Sequence, residues 1–187
     1  MISGSTRLAG VIGDPVRHSL SPAIHNAAYA AADLDWVYVA LPVGVERLRE
    51  ALSGMVALGV EGLSVTMPHK AEAAKLCDEL TSAAEALGVV NSLKRQGARL
   101  IGHNTDGSGF VSALGDSGWS PSNRRALVVG AGGTARAVTH ALGAAGVNRV
   151  TVTARRLEAA AEVAKLAGPA GQPCALSEMG PRQWHEA

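Results

Sequence analysis

The feature that most constrains the fold is a glycine-rich turn that directly follows a short apolar run. Leu127-Val128-Val129 leads into Gly130-Ala131-Gly132-Gly133-Thr134-Ala135, which has the spacing G-x-G-x-x-A. This spacing is a permitted form of the fingerprint with which a strand–turn–helix unit binds a dinucleotide. Gly130 allows the tight turn, Gly132 lets a pyrophosphate approach the backbone, and Ala135 lets the helix pack closely on the strand. The turn alone leaves open a tight βα connection without a ligand.

The end of the following predicted strand indicates which dinucleotide binds. NAD sites usually have Asp or Glu there, which binds the ribose hydroxyls. This chain has Arg155-Arg156 instead, and no acidic residue lies between the end of the predicted strand at 153 and Glu158. Two guanidinium groups suit a 2′-phosphate, although an exposed basic pair before a helix is the alternative. We predict NADP(H) as the cofactor, bound by Gly130, Ala131, Gly132, Gly133, Thr134, Ala135, Arg155 and Arg156.

Short apolar runs alternate with Ala-rich helical stretches along the whole chain, which favours an α/β fold with crossover helices. Ser21-Pro22 is typical of an N-cap followed by proline at the first helical position. The stretch after Met67-Pro68 is predicted helical to about Gly88, with an interruption near Asp78, and 168–173 is predicted to be a loop. The predicted strands are 8–12, 36–41, 62–66, 89–94, 99–101, 126–129 and 149–153.

A polar segment with Gly118 and Pro121 separates two parts of the chain and indicates a domain boundary. We expect residues 1–104 to form an α/β substrate-binding and catalytic domain. Residues 105–122 are then a linking helix and loop. Residues 123–187 are the first part of a Rossmann-like NADP-binding domain, which is incomplete in this chain.

Composition disfavours several classes of function. The chain has 17 basic and 16 acidic residues, so its charge does not indicate nucleic acid or an anionic membrane as a partner. No apolar run approaches the roughly 20 residues of a membrane span, no signal peptide is evident, and Cys77 and Cys174 are far apart, so we expect a soluble, cytoplasmic protein. The six histidines lack metal-ligand spacing, and no G-x-S-x-G nucleophile motif is present. We therefore predict no metal, and we expect solvated or capping roles for the histidines.

Three further motifs carry polar residues near predicted strand ends. They are Gly13-Asp14-Pro15-Val16-Arg17-His18-Ser19-Leu20-Ser21-Pro22, then Ser64-Val65-Thr66-Met67-Pro68-His69-Lys70, and then Val90-Asn91-Ser92 followed by Asn104-Thr105-Asp106-Gly107. Together with the turn at Gly130, these motifs resemble in kind and order those of the shikimate dehydrogenase family. The resemblance covers about residues 8–167.

The resemblance implies NADPH-dependent reduction of 3-dehydroshikimate to shikimate, a step of aromatic amino-acid biosynthesis. It assigns Ser19 and Ser21 to the substrate carboxylate. It assigns Thr66, Lys70, Asn91 and Asp106 to the ring hydroxyls and the reacting oxygen. Lys70 and Asp106 match the family's catalytic pair, in which the lysine donates a proton or stabilises the developing alkoxide and the aspartate orients the ammonium group.

The sequence departs from the family pattern at a few positions and in length. Ser64 replaces an asparagine, His103 replaces an aspartate, and Ala154-Arg155-Arg156 replaces N-R-T. Family members continue further, with more strands, a tyrosine and a glutamine that contact substrate, and a final helix. We therefore expect residues 1–187 to be a fragment or partial molecule that is not a competent enzyme alone, with one edge of strand 126–129 exposed.

Two other functions remain open on the sequence. One is a quinate/shikimate dehydrogenase that uses NAD, which Arg155-Arg156 argue against. The other is a non-catalytic module that binds a dinucleotide or a shikimate-like acid, which Lys70 and Asp106 argue against. In each case the expected partner is a small molecule, and a homodimer is left open.

Overall fold

The computed structural model describes residues 2–179, and these residues fall into two compact units. The first unit ends at Asn104 and the second begins at Thr105. Each unit has its own sheet and its own hydrophobic core. The α/β fold class predicted from the sequence is confirmed.

The first unit is built on a six-stranded mixed sheet with the strand order β2-β1-β3-β5-β6-β4. Strands β1, β2 and β3 are parallel, whereas β5 runs antiparallel to β3 and forms a hairpin with β6. A 3-10 turn at Val45–Arg47 precedes the second helix. The elements are β1 (Arg7–Gly13), α1 (Ser21–Ala31), β2 (Trp36–Pro42), α2 (Leu48–Ala57), β3 (Gly62–Val65), α3 (Lys70–Leu76), β4 (Glu79–Leu80), α4 (Ser82–Leu87), β5 (Ser92–Gln96) and β6 (Arg99–His103).

The main core of the first unit includes the buried side chains of α2, α3 and α4 and one face of the sheet. In α2 the buried residues Leu48, Leu52 and Met55 recur at helical spacing, which gives this helix its apolar stripe. In β3, Leu63 and Val65 are buried in this core. Because side chains alternate along a strand, the residue between them, Ser64, faces the other side of the sheet.

The second unit contains a three-stranded parallel sheet with the order β7-β8-β9. Val150 and Val152 of the central strand are fully buried, and they pack in one cluster with residues of α6 and α7. In the described part of the chain, the other edge of β7 has no strand partner. The elements are α5 (Asp106–Asp116), β7 (Arg125–Val129), α6 (Gly133–Ala144), β8 (Arg149–Ala154), α7 (Leu157–Ala164) and β9 (Gly171–Ala175), with 3-10 turns at Lys165–Ala170 and Leu176–Glu178.

The structure corrects the predicted loop at 168–173, because strand β9 begins at Gly171. The sequence hides this strand, since glycine and proline both weaken a strand pattern. Pro173 is tolerated because β9 is an edge strand, where a missing N–H group costs little. Gly171 is required by packing, since a Cβ atom there would lie 1.8 Å from the carbonyl oxygen of Ala164.

The interruption predicted near Asp78 is confirmed, because α3 ends at Leu76 and α4 begins at Ser82. The two-residue strand β4 lies between these helices and was not predicted. Its pairing with β6 is a tertiary contact that no local pattern marks. No helix of the described residues is both long and apolar enough to cross a membrane.

Two glycines of α5 offer a matched test of packing in the second unit. A Cβ atom on Gly107 would lie 2.6 Å from the carbonyl oxygen of Ala137 and 2.9 Å from the Cβ of Ala141, whereas nothing lies within 4 Å of one on Gly109. We expect Gly107→Ala to lower the free energy of unfolding by about 1–3 kcal/mol, because α5 and α6 must separate. Gly109→Ala should raise it by about 0.5–1 kcal/mol through helix propensity. Urea unfolding measures both, and equal effects would contradict this account of the packing.

Candidate active site

Most of the predicted substrate residues follow or precede strands at one edge of the first unit's sheet. Strands β1 and β3 are parallel with Ile12 opposite Val65, so both chains leave the sheet at the same edge. The Thr66 amide donates to the Ile12 carbonyl at 3.0 Å, and the Asp14 amide donates to the Met67 carbonyl at 3.1 Å. The two loops are therefore fixed to each other by main-chain hydrogen bonds.

Asn91 joins the same edge because β5 runs antiparallel to β3 and therefore begins where β3 ends. The Val65 amide donates to the Asn91 carbonyl at 2.8 Å, and the Asn91 amide donates to the His103 carbonyl at 3.0 Å. One residue earlier, the Val90 amide donates to the Lys70 carbonyl at 2.9 Å. The main chains of Asn91 and Lys70 are thus held close together.

Ser19 and Ser21 form a pair of half-buried hydroxyl groups before and at the start of α1. The Ser19 hydroxyl donates to Ser21 Oγ at 3.1 Å, and the Ser21 amide donates to Ser19 Oγ at 3.2 Å. The Ser21 hydroxyl keeps its own proton for a further acceptor. The predicted N-cap role of Ser21 is wrong, because α1 begins at Ser21 and the N-cap position is Leu20, whose side chain makes no capping hydrogen bond.

Lys70 is the first residue of α3 and is half-buried. The turn that leads to it is anchored by His69, which is 1% exposed. The Nε2 atom of His69 lies 2.7 Å from the Val43 carbonyl oxygen, and its backbone N–H donates to the Thr66 carbonyl at 3.0 Å. The solvated or capping role expected for this histidine is therefore wrong, and no periodic signal in the sequence marks it as buried.

Thr66 lies against Gly13, the last residue of β1. A Cβ atom on Gly13 would lie 2.4 Å from Thr66 Cγ2 and 3.0 Å from the Met67 carbonyl oxygen. Glycine at this position therefore lets the two loops approach closely. The peptide bonds before Pro15 and Pro68, one in each loop, are both cis.

Asp106 is the half-buried first residue of α5 and belongs to the second unit. Lys70 belongs to the first unit, so the pairing of these two residues stays a prediction. Within the first unit, Thr66, Lys70 and Asn91 lie at this edge, and Ser19 and Ser21 follow the loop with which β1 leaves the same edge. These residues supply hydroxyl, ammonium and amide groups, which are the groups needed to bind an anionic, hydroxylated molecule.

The glycine-rich turn of the second unit lies between β7 and α6. Gly130 has a φ of 119°, a backbone conformation that side chains rarely allow, and its amide donates to the Thr153 carbonyl at 2.7 Å. Gly132 has a φ of −80°, and nothing lies within 4 Å of where its Cβ would be. Neither a positive φ nor crowding within the unit therefore requires glycine at position 132. An open space in front of the first turn of α6, whose N–H groups lack helical partners, fits a bound pyrophosphate.

Arg155 and Arg156 follow β8 directly, and both are exposed. Because β7 and β8 are parallel, with Val129 opposite Thr153, these arginines lie at the same sheet edge as the glycine-rich turn. Their positive charge fits a phosphate carried by the adenosine part of a dinucleotide. The residues present at this edge therefore fit NADP(H).

The structure also bears on nucleophilic chemistry at Cys77 and on metal binding. Burial raises the pKa of the Cys77 thiol to about 11, and this thiol donates a hydrogen bond to the Ala73 carbonyl, so it is a poor nucleophile at neutral pH. Within residues 2–179, no group of three or more His, Cys, Asp or Glu side chains is arranged to hold a metal ion.

Comparison with known proteins identifies both parts of the chain. Residues 11–93 match the family model described as the shikimate dehydrogenase substrate binding domain. Residues 114–182 match the model described as shikimate / quinate 5-dehydrogenase. The chain is 48% identical over 168 residues to the shikimate dehydrogenase (NADP(+)) of Geobacter sp. strain M21, covering 89% of this chain and 58% of that protein.

Solved structures show the same similarity. The shikimate dehydrogenase of Aquifex aeolicus matches with a TM-score of 0.84 and 40% identity, covering 89% of this chain and 62% of that one. The shikimate 5-dehydrogenase of Thermus thermophilus in complex with NADP(H) and shikimate matches with a TM-score of 0.81 and 36% identity, covering 87% and 61%.

The matched length is a separate finding. The chain spans less than two thirds of these relatives, from 58% to 62% of their own lengths. Within that span, both family models, the order of the motifs and the fold all indicate the same family. The chain belongs to the shikimate dehydrogenase family.

Proposed function

We propose that the protein reduces 3-dehydroshikimate to shikimate with NADPH. The observation that carries this proposal is that the chain segments with Ser19, Ser21, Thr66, Lys70 and Asn91 all adjoin one edge of the first unit's sheet. Its groups complement a ring that bears one carboxylate, hydroxyl groups and a carbonyl. The Geobacter relative is a shikimate dehydrogenase (NADP(+)), which supports the same substrate and cofactor.

The two serines bind the substrate carboxylate in this proposal. Ser21 accepts a hydrogen bond from Ser19 and so keeps its own hydroxyl proton available for an anionic oxygen. Ser19 donates to the carboxylate by giving up its hydrogen bond to Ser21. Hydrogen bonds to a charged acceptor are roughly twice as strong as neutral ones, so this exchange is favourable and two hydroxyl groups give useful affinity without a cationic side chain. Thr66 and Asn91, fixed by main-chain bonds to β1, β3 and β6, hold the ring hydroxyls.

Lys70 supplies the proton for the reduction. The cofactor, when bound, supplies the hydride that adds to the substrate carbonyl. As negative charge develops on the carbonyl oxygen, the Lys70 ammonium stabilises it and donates a proton from Nζ. Asp106 then acts by orienting the ammonium and pairing with its charge. The anchored turn before Lys70, held by buried His69, limits the positions that its side chain adopts.

The second unit holds the cofactor in this proposal. Gly130, Ala131, Gly132, Gly133, Thr134 and Ala135 form the turn and helix start at which the pyrophosphate binds. Arg155 and Arg156 bind the 2′-phosphate, which favours NADPH over NADH.

Both cysteines are free thiols, which is consistent with a reducing compartment, so we place this activity in the cytoplasm.

A direct assay separates this proposal from its rivals. In a version of the protein that spans the full length of its relatives, the absorbance of NADPH should fall when 3-dehydroshikimate is added. NADH or 3-dehydroquinate should give slower reactions. Faster reaction with NADH would instead favour the NAD-dependent quinate/shikimate dehydrogenase. Binding of both ligands without turnover would identify a non-catalytic module.

In the same full-length version of the protein, we expect Lys70→Ala to lower turnover by roughly 10²- to 10⁴-fold, the range for loss of a general acid, with NADPH affinity unchanged. Lys75→Ala is the matched control, because Lys75 lies on the same helix and pairs with Glu72 at 2.9 Å on the surface. Steady-state kinetics and NADPH titration measure both variants. Near-normal turnover in Lys70→Ala would remove this residue from the chemistry.

The arginine pair is tested by exchanging its charge for neutral amides. We expect the double change Arg155→Gln and Arg156→Gln to weaken NADPH at least about tenfold, because charge-assisted hydrogen bonds to the 2′-phosphate are lost. NADH lacks this phosphate, so its affinity should change little. Arg149→Gln is the control, since Arg149 begins the same strand at its opposite end. Equal loss of affinity for both cofactors would contradict the assignment.

A further inference from the structure

Helix α1 carries the Ser19–Ser21 pair at its start, yet no fully buried apolar side chain holds it in place. None of its residues is buried, and Ile24 is 63% exposed. A helix without a buried apolar stripe needs other contacts to fix its position. Three polar or aromatic side chains, His25, Asn26 and Tyr29, provide those contacts with β2.

Asn26 pairs with the main chain of β2. Its side-chain amide donates to the Tyr38 carbonyl at 2.9 Å, and its side-chain oxygen accepts from the Tyr38 amide at 2.8 Å. Among residues 2–179, strand β2 is at the edge of the sheet, so its outward main-chain groups have no strand partner. Asn26 satisfies these groups as a neighbouring strand would, and this joins the second turn of α1 to the sheet.

His25 connects the same tyrosine to the serine pair. Its ring stacks on the Tyr38 ring with a centroid distance of 4.1 Å and an interplanar angle of 11°. Its Nδ1 lies 2.9 Å from the Ser21 carbonyl oxygen, so the ring N–H donates to the first turn of α1. One imidazole therefore contacts both the sheet and the backbone of a serine that we assign to the substrate carboxylate.

Tyr38 is the buried side chain that anchors these contacts. It is 4% exposed, and its hydroxyl donates to Ser64 Oγ at 2.7 Å. Burial raises the pKa of the Tyr38 hydroxyl, and the hydrogen bond with Ser64 lowers it in part, so the hydroxyl stays protonated as a donor. Ser64 lies two residues before Thr66, so the connection runs from the serine pair to the other loop of the site.

We infer that His25 and Asn26 are positioning residues: by fixing α1 to Tyr38, they place the Ser19 and Ser21 hydroxyls for the substrate carboxylate. This inference rests on the proposed function, because it assumes that these serines bind that carboxylate. In this inference both residues act through Ser19 and Ser21 and not by binding the substrate themselves. Their loss lets the start of α1 shift, which weakens the hydrogen bonds to the carboxylate and leaves the glycine-rich turn in the second unit unaffected.

The test is calorimetric titration of His25→Ala, His25→Phe and Asn26→Ala with shikimate and, separately, with NADP⁺. We expect His25→Ala and Asn26→Ala to weaken shikimate about tenfold, since displaced hydroxyls lose charge-assisted hydrogen bonds. His25→Phe keeps a stacked ring and should lose less affinity. NADP⁺ affinity should change by no more than about twofold, because substitutions far from a binding site have small effects. Ile24→Ala, an exposed change on the same helix, is the control and should alter neither affinity.

A second ligand gives a readout that general destabilisation does not move. Shikimate methyl ester lacks the anionic carboxylate, so the preference for the acid over the ester should fall in His25→Ala and Asn26→Ala. Parallel loss of shikimate and NADP⁺ affinity, or an unchanged shikimate affinity in both variants, would overturn the inference. If the unsubstituted protein fails to bind shikimate, the proposed function fails first and the inference with it.

Discussion

The parallel pairing of β1 with β3 is the constraint on which the rest of the first unit depends. With Ile12 opposite Val65, both strands end at one edge, and the loops that follow are joined by main-chain hydrogen bonds. The antiparallel β5 starts at that edge and adds Asn91. Residues from three distant parts of the sequence are therefore neighbours because of strand direction. Ligand sites outside the carboxyl ends of parallel strands follow the same rule in other α/β proteins.

The sequence predicts those parts of the protein that local physical rules decide. Gly130 has the positive φ that a tight turn needs, and Gly132 leaves an open space before a helix start, so the spacing of the turn is informative when a strand precedes it and a helix follows. The alternation of apolar runs and helices likewise predicts the α/β fold. The substrate residues are different, because Lys70 alone is an ordinary lysine at a helix start. Only the combined order of several motifs indicated its role.

Most of the features that the sequence missed depend on tertiary contacts. Strand β9 carries glycine and proline, which are tolerated because it is an edge strand and packs closely against Ala164. His69 is buried by its bond to the Val43 carbonyl, a partner far away in sequence. Ser21 looks like an N-cap residue, yet its hydroxyl accepts a hydrogen bond from Ser19 instead. In each case the local pattern was compatible with several states, and contacts in the folded structure selected one.

The central claim is that shikimate binds where the loops after β1 and β3 meet at the start of β5. An NMR titration of the ¹⁵N-labelled protein with shikimate tests it most directly, since each backbone amide reports its own surroundings. We expect the largest shifts at Ser19, Thr66, Lys70 and Asn91. Amides at the opposite end of the same strands, such as Arg7 and Gly62, should change little. Shifts confined to that opposite end, or no shifts at saturating shikimate, would contradict the account.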